Sequence, residues 1–213
     1  MKIAGLTVGP LQENCWLVGA PPRCAVVDPG AESERILAEI ERRGLEPEKI
    51  LLTHGHVDHI AHCAQVAQRY GIGLWAHAAD LPLLERPQWP ELETFLGARP
   101  CPLPERLLAD GEVIDVAGLE LTVLHTPGHT PGGVCYVDRP SRTILVGDTL
   151  FAGSVGRTDL PGGDWETLLG SIHRRLFTLE GDWILLPGHG PETSMEAERR
   201  DNPFVGARAR FAP

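Results

Sequence analysis

The chain has 213 residues, 42% of them hydrophobic and 23% charged, with a formal net charge of −10. Such a length fits one domain that buries roughly 70% of its unfolded surface without a disulfide or metal clip, and the composition excludes a disordered or fibrous chain. The acidic balance repels polyanions, so nucleic acid is not an expected partner.

Short β-type runs are expected at 2–8, 15–18 and 24–27, each closed by Gly, Pro or Asp. Ile36, Leu37 and Ile40 then share one face of a helix that Gly44 ends. A buried-type strand at 50–53 leads into a polar, His-rich loop, and the spacing predicts a second helix over 58–70, ended by Gly71. A strand at 74–76 and a short helix at 81–85 follow. The stretch 87–110 carries five prolines with Trp89, Phe95 and Cys101, and reads either as a functional lid or as a surface excursion with one short helix at 91–96. Further strands are expected at 113–116, 119–124, 134–137, 143–146 and 183–186, with helices at 165–177 and 192–200. Strand-rich blocks broken by helices imply two sheets packed face to face with helices outside.

Cys15, Cys24, Cys63, Cys101 and Cys135 form no CxxC pair and are odd in number, which fits reduced thiols in a cytosol better than a disulfide framework. No run of about eighteen apolar residues occurs, and Pro10, Gln12, Glu13 and Asn14 interrupt the first apolar stretch. Neither a membrane span nor an export signal is expected, and a cytoplasmic location is.

The chemistry is concentrated in Thr53-His54-Gly55-His56-Val57-Asp58-His59, directly after a strand. Extended backbone projects His54 and His56 to the same side, so both can reach one cation. Asp58 and His59 fall at the start of the next helix, where the dipole favours a carboxylate. Imidazole and carboxylate are the usual ligands of zinc, iron and manganese. One segment cannot close such a site. Three further apolar runs each end in a Gly-containing turn with a ligand-type residue: His129 in Thr126-Pro127-Gly128-His129-Thr130, Asp148 in Gly147-Asp148-Thr149, and His189 in Pro187-Gly188-His189-Gly190.

With THGHVDH, TPGHT, VGDTL and LPGHG together, the sequence resembles the metallo-β-lactamase fold superfamily, and within it the single-domain, glyoxalase II-like (hydroxyacylglutathione hydrolase-like) members. The likeness extends to NCWLV, VVDPG, GRTDLPGGD and DNPF. It implies an αββα sandwich, α/β in class, over residues 1–213 as one domain. It also implies two divalent metal ions, zinc first and iron or manganese as alternatives. His54, His56 and His129 would hold one metal, and Asp58, His59 and His189 the other, with Asp148 bridging and Asp58 orienting a metal-bound hydroxide. β-Lactamases of the commonest type carry Cys where Asp148 stands and are exported, so antibiotic hydrolysis is not expected. The implied reaction is hydrolysis of S-lactoylglutathione or a related acyl-thiol. Two metals lower the pKa of bound water from about 15.7 to about 7, and a thiol of pKa about 8.5 leaves as thiolate without a separate acid. The C-terminal helical extension that helps two-domain glyoxalase II enzymes bind glutathione is not expected here, which loosens the tie to glutathione. The alternatives are an iron-dependent glutathione persulfide dioxygenase, with His56, His129 and Asp148 as iron ligands, a nuclease of the same fold, and a non-enzymatic metal-binding module.

Arg157 is the candidate for gripping a substrate carboxylate, because its planar fork binds in two places; a turn with a surface ion pair is the competing reading. Asp164 reads as an N-cap, and Asn14 and Asp28 lie near the metals by resemblance. His62, three residues after His59, is either a partner of a ligand or, more simply, a partly exposed helix residue. His77 and His125 are expected in structural or ligand-supporting positions, and His173 on a helix surface. Small-molecule substrate is the expected partner, and oligomeric state is open.

Overall fold

The computed structural model describes residues 2–86 and 88–209. Pro87, where the Pro-rich excursion begins, lies outside the described residues, as do both extremes of the expected 1–213 domain.

One sheet is built from β1 (Lys2–Val8), β2 (Glu13–Gly19), β3 (Arg23–Val27), β4 (Glu46–Leu51), β5 (Gly73–His77) and β6 (Arg106–Leu108), in chain order. Its first three strands are antiparallel and β3 to β6 are parallel. β7 (Val113–Val116), β8 (Leu119–His125), β9 (Val134–Asp138) and β10 (Thr143–Gly147) open the second sheet. A separate hairpin pairs β11 (Leu150–Phe151) with β12 (Ser154–Val155); β13 (Ile184–Pro187) and β14 (Thr193–Ser194) then complete the second sheet in the order β14-β13-β10-β9-β8-β7.

The layers follow from period-2 alternation. Trp16, Val18, Ala25 and Val27 point inward and meet Ile114, Val123, Tyr136 and Leu145 of the other sheet. Their neighbours Leu17 and Val26 point outward, against Ile36 and Ile40 of α1 (Ser33–Arg43) and Val66 of α3 (Cys63–Tyr70). On the opposite face Val137, Ile144 and Leu185 pack on Leu168 and Leu169 of α6 (Trp165–Ser171) and Met195 of α7 (Met195–Asp201). Three apolar layers between four structural ones make the αββα sandwich. Among the described residues, no helix is long and apolar enough to cross a membrane.

The single helix expected over 58–70 is two: α2 (Val57–Ile60) and α3, broken at Ala61 and His62. The turn at Pro29 and Gly30 causes the break. Gly30 lies so close on the Asp58 carbonyl that a side-chain carbon would collide with it, and the His62 N–H donates to Pro29 O (3.0 Å) in place of the Asp58 oxygen. Freed from the helix, the His62 ring accepts from Ser33 N–H at Nδ1 (3.1 Å) and donates from Nε2 to Leu96 O (2.8 Å). It is neither a ligand partner nor a plain surface residue; it fastens the end of α5 (Pro90–Leu96) to the entry of α1.

The other differences are local. The last helix begins at Met195, because Thr193 and Ser194 pair with β13 and Ser194 caps the helix by accepting from Ala197 N–H. Beyond Ser171 the α6 segment continues as a π-helical turn over Ile172–Leu176. β6, β11 and β12 were not expected: two or three residues show no periodicity. His77 and His125 stack at 4.0 Å between ring centroids, and His173 is half-buried with its ring edge-on to Phe177. Asp164 does cap α6, accepting from Thr167 N–H at 2.8 Å.

His62→Ala removes both hydrogen bonds of a fastening ring. It is expected to lower the unfolding free energy by about 1–3 kcal/mol in denaturant titration, with amides of 90–99 losing hydrogen-exchange protection first.

Candidate metal centre

The strand ends of both sheets meet at one edge. β4 delivers Thr53 and His54, and the following turn and α2 supply His56, Asp58 and His59; the loop after β8 brings His129, β10 ends next to Asp148, and β13 next to His189. His54, His56, His59 and His129 are buried, and Asp58, Asp148 and His189 half-buried. The ligand atoms of His54, His56 and His129 lie within 4.8 Å of one another, as do those of Asp58, His59 and His189. Asp148 stands between the groups: Oδ1 is 3.5 Å from His59 Nε2, and Oδ2 is 3.5 Å from His129 Nε2 and 3.7 Å from His189 Nε2.

The outward ring nitrogens decide what the inward ones can do. His129 Nδ1 donates to Arg157 O (2.8 Å) and His189 Nδ1 to Leu11 O (3.1 Å). His59 Nδ1 donates to Asp28 Oδ2 (3.0 Å). Thr53 Oγ1 gives its proton to Asp28 Oδ2 (2.5 Å), so it accepts from His54 Nδ1 (3.1 Å). Four imidazoles therefore carry their proton on the far side and aim Nε2 inward. His129 Nε2 lies 3.2 Å from His54 Nε2 and 2.8 Å from His56 Nδ1. With the His54 and His129 protons on their outward nitrogens, at most the His56 proton lies among those three atoms, so lone pairs face one another.

Electrostatics sharpen the conflict. Burial, reinforced by neighbouring histidines, holds His54 well below the ordinary imidazole range and His56 down at about 3, so both rings stay neutral. In the other group burial opposes protonation of His59 and His189, but the carboxylates of Asp148, Asp28 and Asp58 outweigh it and push both upward. Asp58, 3.2 Å from His189 Nε2, is raised by burial but more strongly lowered by His189 and His59, and ends below the usual carboxylate range. Asp148 Oδ1 is buried without a hydrogen bond among the described residues. Converging lone pairs and an under-satisfied carboxylate call for positive charge at the centre. Nitrogen and oxygen donors of this kind fit divalent zinc, iron or manganese.

The supporting residues were mostly not foreseen. Asp80, buried in the short 3-10 turn that follows β5, accepts from Gly55 N–H (2.8 Å), Thr130 Oγ1 (2.8 Å) and Gly132 N–H (2.5 Å), tying the His54–His56 turn to the His129 loop. Asn14, placed near the centre by resemblance, donates to Pro187 O (3.2 Å) and Gly190 O (2.8 Å), and so holds the turn bearing His189. Gly188 packs against Asp148 Oδ1 and His59, where any side chain would collide with the carboxylate. Glu13 is buried beside His59 (3.9 Å), neither oxygen has a hydrogen-bond partner among the described residues, and burial raises its acid well above the usual range. Nothing in the spacing of Asp80 or Glu13 marks them, since their partners lie far away in the chain.

Above the cluster a cavity of about 910 Å³ is walled by Leu11, Val57, Trp89, Leu92, Phe151 and Leu160, with the ligand-type side chains on its floor. The Pro-rich excursion forms one wall: Trp89, Leu92 and Leu96 pack on Val57 and Ala61, and the Gln88 side chain donates to Gly55 O at 2.6 Å. Arg157 also borders the cavity, but its exposed guanidinium makes a two-pronged pair with Asp159 (2.8 and 2.7 Å) while its carbonyl orients His129.

Asp28→Asn, which disturbs the acceptor of His59 and Thr53, is expected to weaken metal affinity about 10–100-fold in chelator competition. Asp80→Asn sets an N–H group against backbone donors and is expected to cost about 1–3 kcal/mol in unfolding free energy.

The sequence profile of the Metallo-beta-lactamase superfamily matches residues 8–189. Hydroxyacylglutathione hydrolase GloC of Haemophilus influenzae is 36% identical over 98% of this chain and 100% of its own length. Among solved structures, the BLEG-1 B3 metallo-beta-lactamase superposes with a TM-score of 0.88 at 34% identity, covering 96% of this chain and 99% of that one. TTHA1623 in a di-iron-bound form superposes with a TM-score of 0.87 at 40% identity, covering 95% and 100%. On a sandwich whose strand ends gather five histidines and two aspartates, and with these matches along nearly its whole length, the chain belongs to the metallo-beta-lactamase superfamily.

Proposed function

We propose that the chain is a metal-dependent hydrolase of acyl thioesters, S-lactoylglutathione or a related acyl-thiol. It would act as one domain, in the cytoplasm, on a small-molecule substrate. The observation that carries this reading is the pair of adjacent ligand groupings sharing Asp148 at the floor of an open cavity. His54, His56 and His129 would hold one divalent cation, and Asp58, His59 and His189 the second, with Asp148 between them. Zinc is the first choice, with iron or manganese compatible with the same donors. Bound there, the cations supply Lewis acidity and bring the pKa of water from about 15.7 to about 7. The name of the Haemophilus influenzae relative supports a thioester substrate, and the di-iron form of TTHA1623 supports a paired site.

The chain's own groups have separable tasks. Asp58, kept ionised by His189 and His59, accepts a hydrogen bond from the attacking water and aims it. The carbonyls of Leu11 and Arg157 and the Asp28 carboxylate lock the rings in orientation. Trp89 and Leu92 keep bulk water from one side of the floor. A thiol of pKa about 8.5 leaves as its anion, so no further acid is needed. Arg157 is the candidate for a substrate carboxylate, which would have to displace Asp159 from the guanidinium. The free state of all five cysteines is compatible with a reducing compartment.

A second reading, an iron-dependent glutathione persulfide dioxygenase, draws on the contact of His56, His129 and Asp148 around one point. Metal content and S-lactoylglutathione hydrolysis, measured on one preparation with oxygen uptake on glutathione persulfide, separate the two. The thioesterase is expected to hold a metal pair and release thiol without oxygen; a single iron with oxygen consumption selects the dioxygenase. His56→Ala and Asp148→Ala are each expected to lose metal and to reduce the rate by more than about 100-fold, beyond what outer partners of a ligand cost. Retention of both metal and rate by either variant removes the assignment. A β-lactam belongs in the panel, given the likeness to BLEG-1.

A further inference from the structure

The cavity above the cluster is far larger and more apolar than a lactoyl group requires. Its volume of about 910 Å³ lies near the top of the range of about 300–1,000 Å³ usual for small-molecule sites. Aromatic rings flank the floor on both sides: Trp89 lies 6.0 Å from His56 and Phe151 6.3 Å from His189, centroid to centroid. Leu11, Leu92, Val155 and Leu160 continue the wall. Apart from the ligand-type groups, Glu91 and Arg157 are the charged residues bordering the cavity among those described, and Arg157 is already paired with Asp159. A hydroxyl or charge carried along this wall exchanges water for leucine, phenylalanine and tryptophan, whereas an alkyl or aryl group gains by the same exchange.

We propose that the substrate is a thioester whose acyl arm is apolar, uncharged and larger than lactoyl, and that Trp89, Leu92, Phe151 and Leu160 select it. The proposal rests on the thioester reading and narrows it. The reaction adds water across the acyl–sulfur bond: the C–S bond breaks, a C–O bond forms, and the products are a carboxylic acid and a thiol, with no change of oxidation state.

The test is an acyl series on a single neutral thiol carrier, N-acetylcysteamine, carrying acetyl, lactoyl, butyryl, hexanoyl and octanoyl groups, with S-lactoylglutathione beside it. Thiol release is expected to show kcat/KM rising up to about fourfold per buried methylene until the wall is covered, with lactoyl below butyryl. A second readout needs no turnover. Binding of S-alkyl-N-acetylcysteamine thioethers, followed by tryptophan fluorescence and calorimetry, is expected to tighten with alkyl length. Trp89→Ala is expected to lower the hexanoyl-to-acetyl ratio about tenfold. Leu160→Asn, at a half-buried wall residue, is expected to lower it in the same direction should Trp89→Ala fold poorly.

A flat or falling chain-length profile, or S-lactoylglutathione outpacing every neutral thioester, overturns the apolar-arm assignment while thioester hydrolysis stands. If no thioester is cleaved, the functional reading falls, and the thioethers decide the wall by themselves: tightening with length upholds its selectivity and length-independent binding overturns it.

Discussion

Five imidazoles converge on one small volume, four of them aimed there by hydrogen bonds made on their far sides, and the fold is organised around the consequence. Left to themselves, these rings present lone pair to lone pair at 3.2 Å between His54 and His129, with carboxylates pressed alongside. The neutral His54 and His56 rings in the more buried grouping and the proton-seeking His59 and His189 rings in the carboxylate-rich grouping are two responses to the same need for positive charge. A cation answers both, because it takes lone pairs and carboxylate oxygens at once. The centre is thus a preformed set of donors rather than a loose gathering of polar groups.

Such convergence on loops requires restraint from outside the centre. Asp80 joins two turns that are distant in sequence, Asp28 holds His59 and, through Thr53, His54, and Asn14 secures the turn of His189. Each restraint runs between the two sheets or between a strand end and a neighbouring loop. The sandwich therefore does more than supply a core: its open edge is where parallel strands release their chains, and the hydrogen-bonded loops convert that edge into a rigid cup. Gly30 and Gly188 are needed for the same reason, since a side chain at either place would push Asp58 or Asp148 off position.

The cup has a polar floor and an apolar wall. The floor carries the donor set, while the wall is contributed largely by the Pro-rich excursion and the small β11–β12 hairpin. The excursion is not a free flap. Val57 and Ala61, on and just after the motif helix, form a small apolar cluster with Trp89, Leu92 and Leu96, so the wall and the centre share one piece of backbone. The Gln88 side chain also donates to Gly55 O, in the turn carrying His54 and His56.

The layered fold, the alternating strands, the amphipathic helices and the residue types of the centre are all legible in the order of residues along the chain. All of these are local signals: periodicity of two or 3.6, glycine stops, and ligand residues placed straight after apolar runs. Asp164 as a cap was legible for the same reason. The remaining features depend on contacts between distant segments. The break at His62 needed the turn of Pro29 and Gly30 beneath it, and the partnership of Asp80 needed residues about fifty positions away. The place of Trp89 in the cavity wall needed α5 folded back over the centre, and for Arg157, read either as a substrate grip or as a surface ion pair, the structure shows the pair with Asp159. Helical and strand propensities carry no record of such contacts, because these groups meet only where loops close between distant parts of the chain.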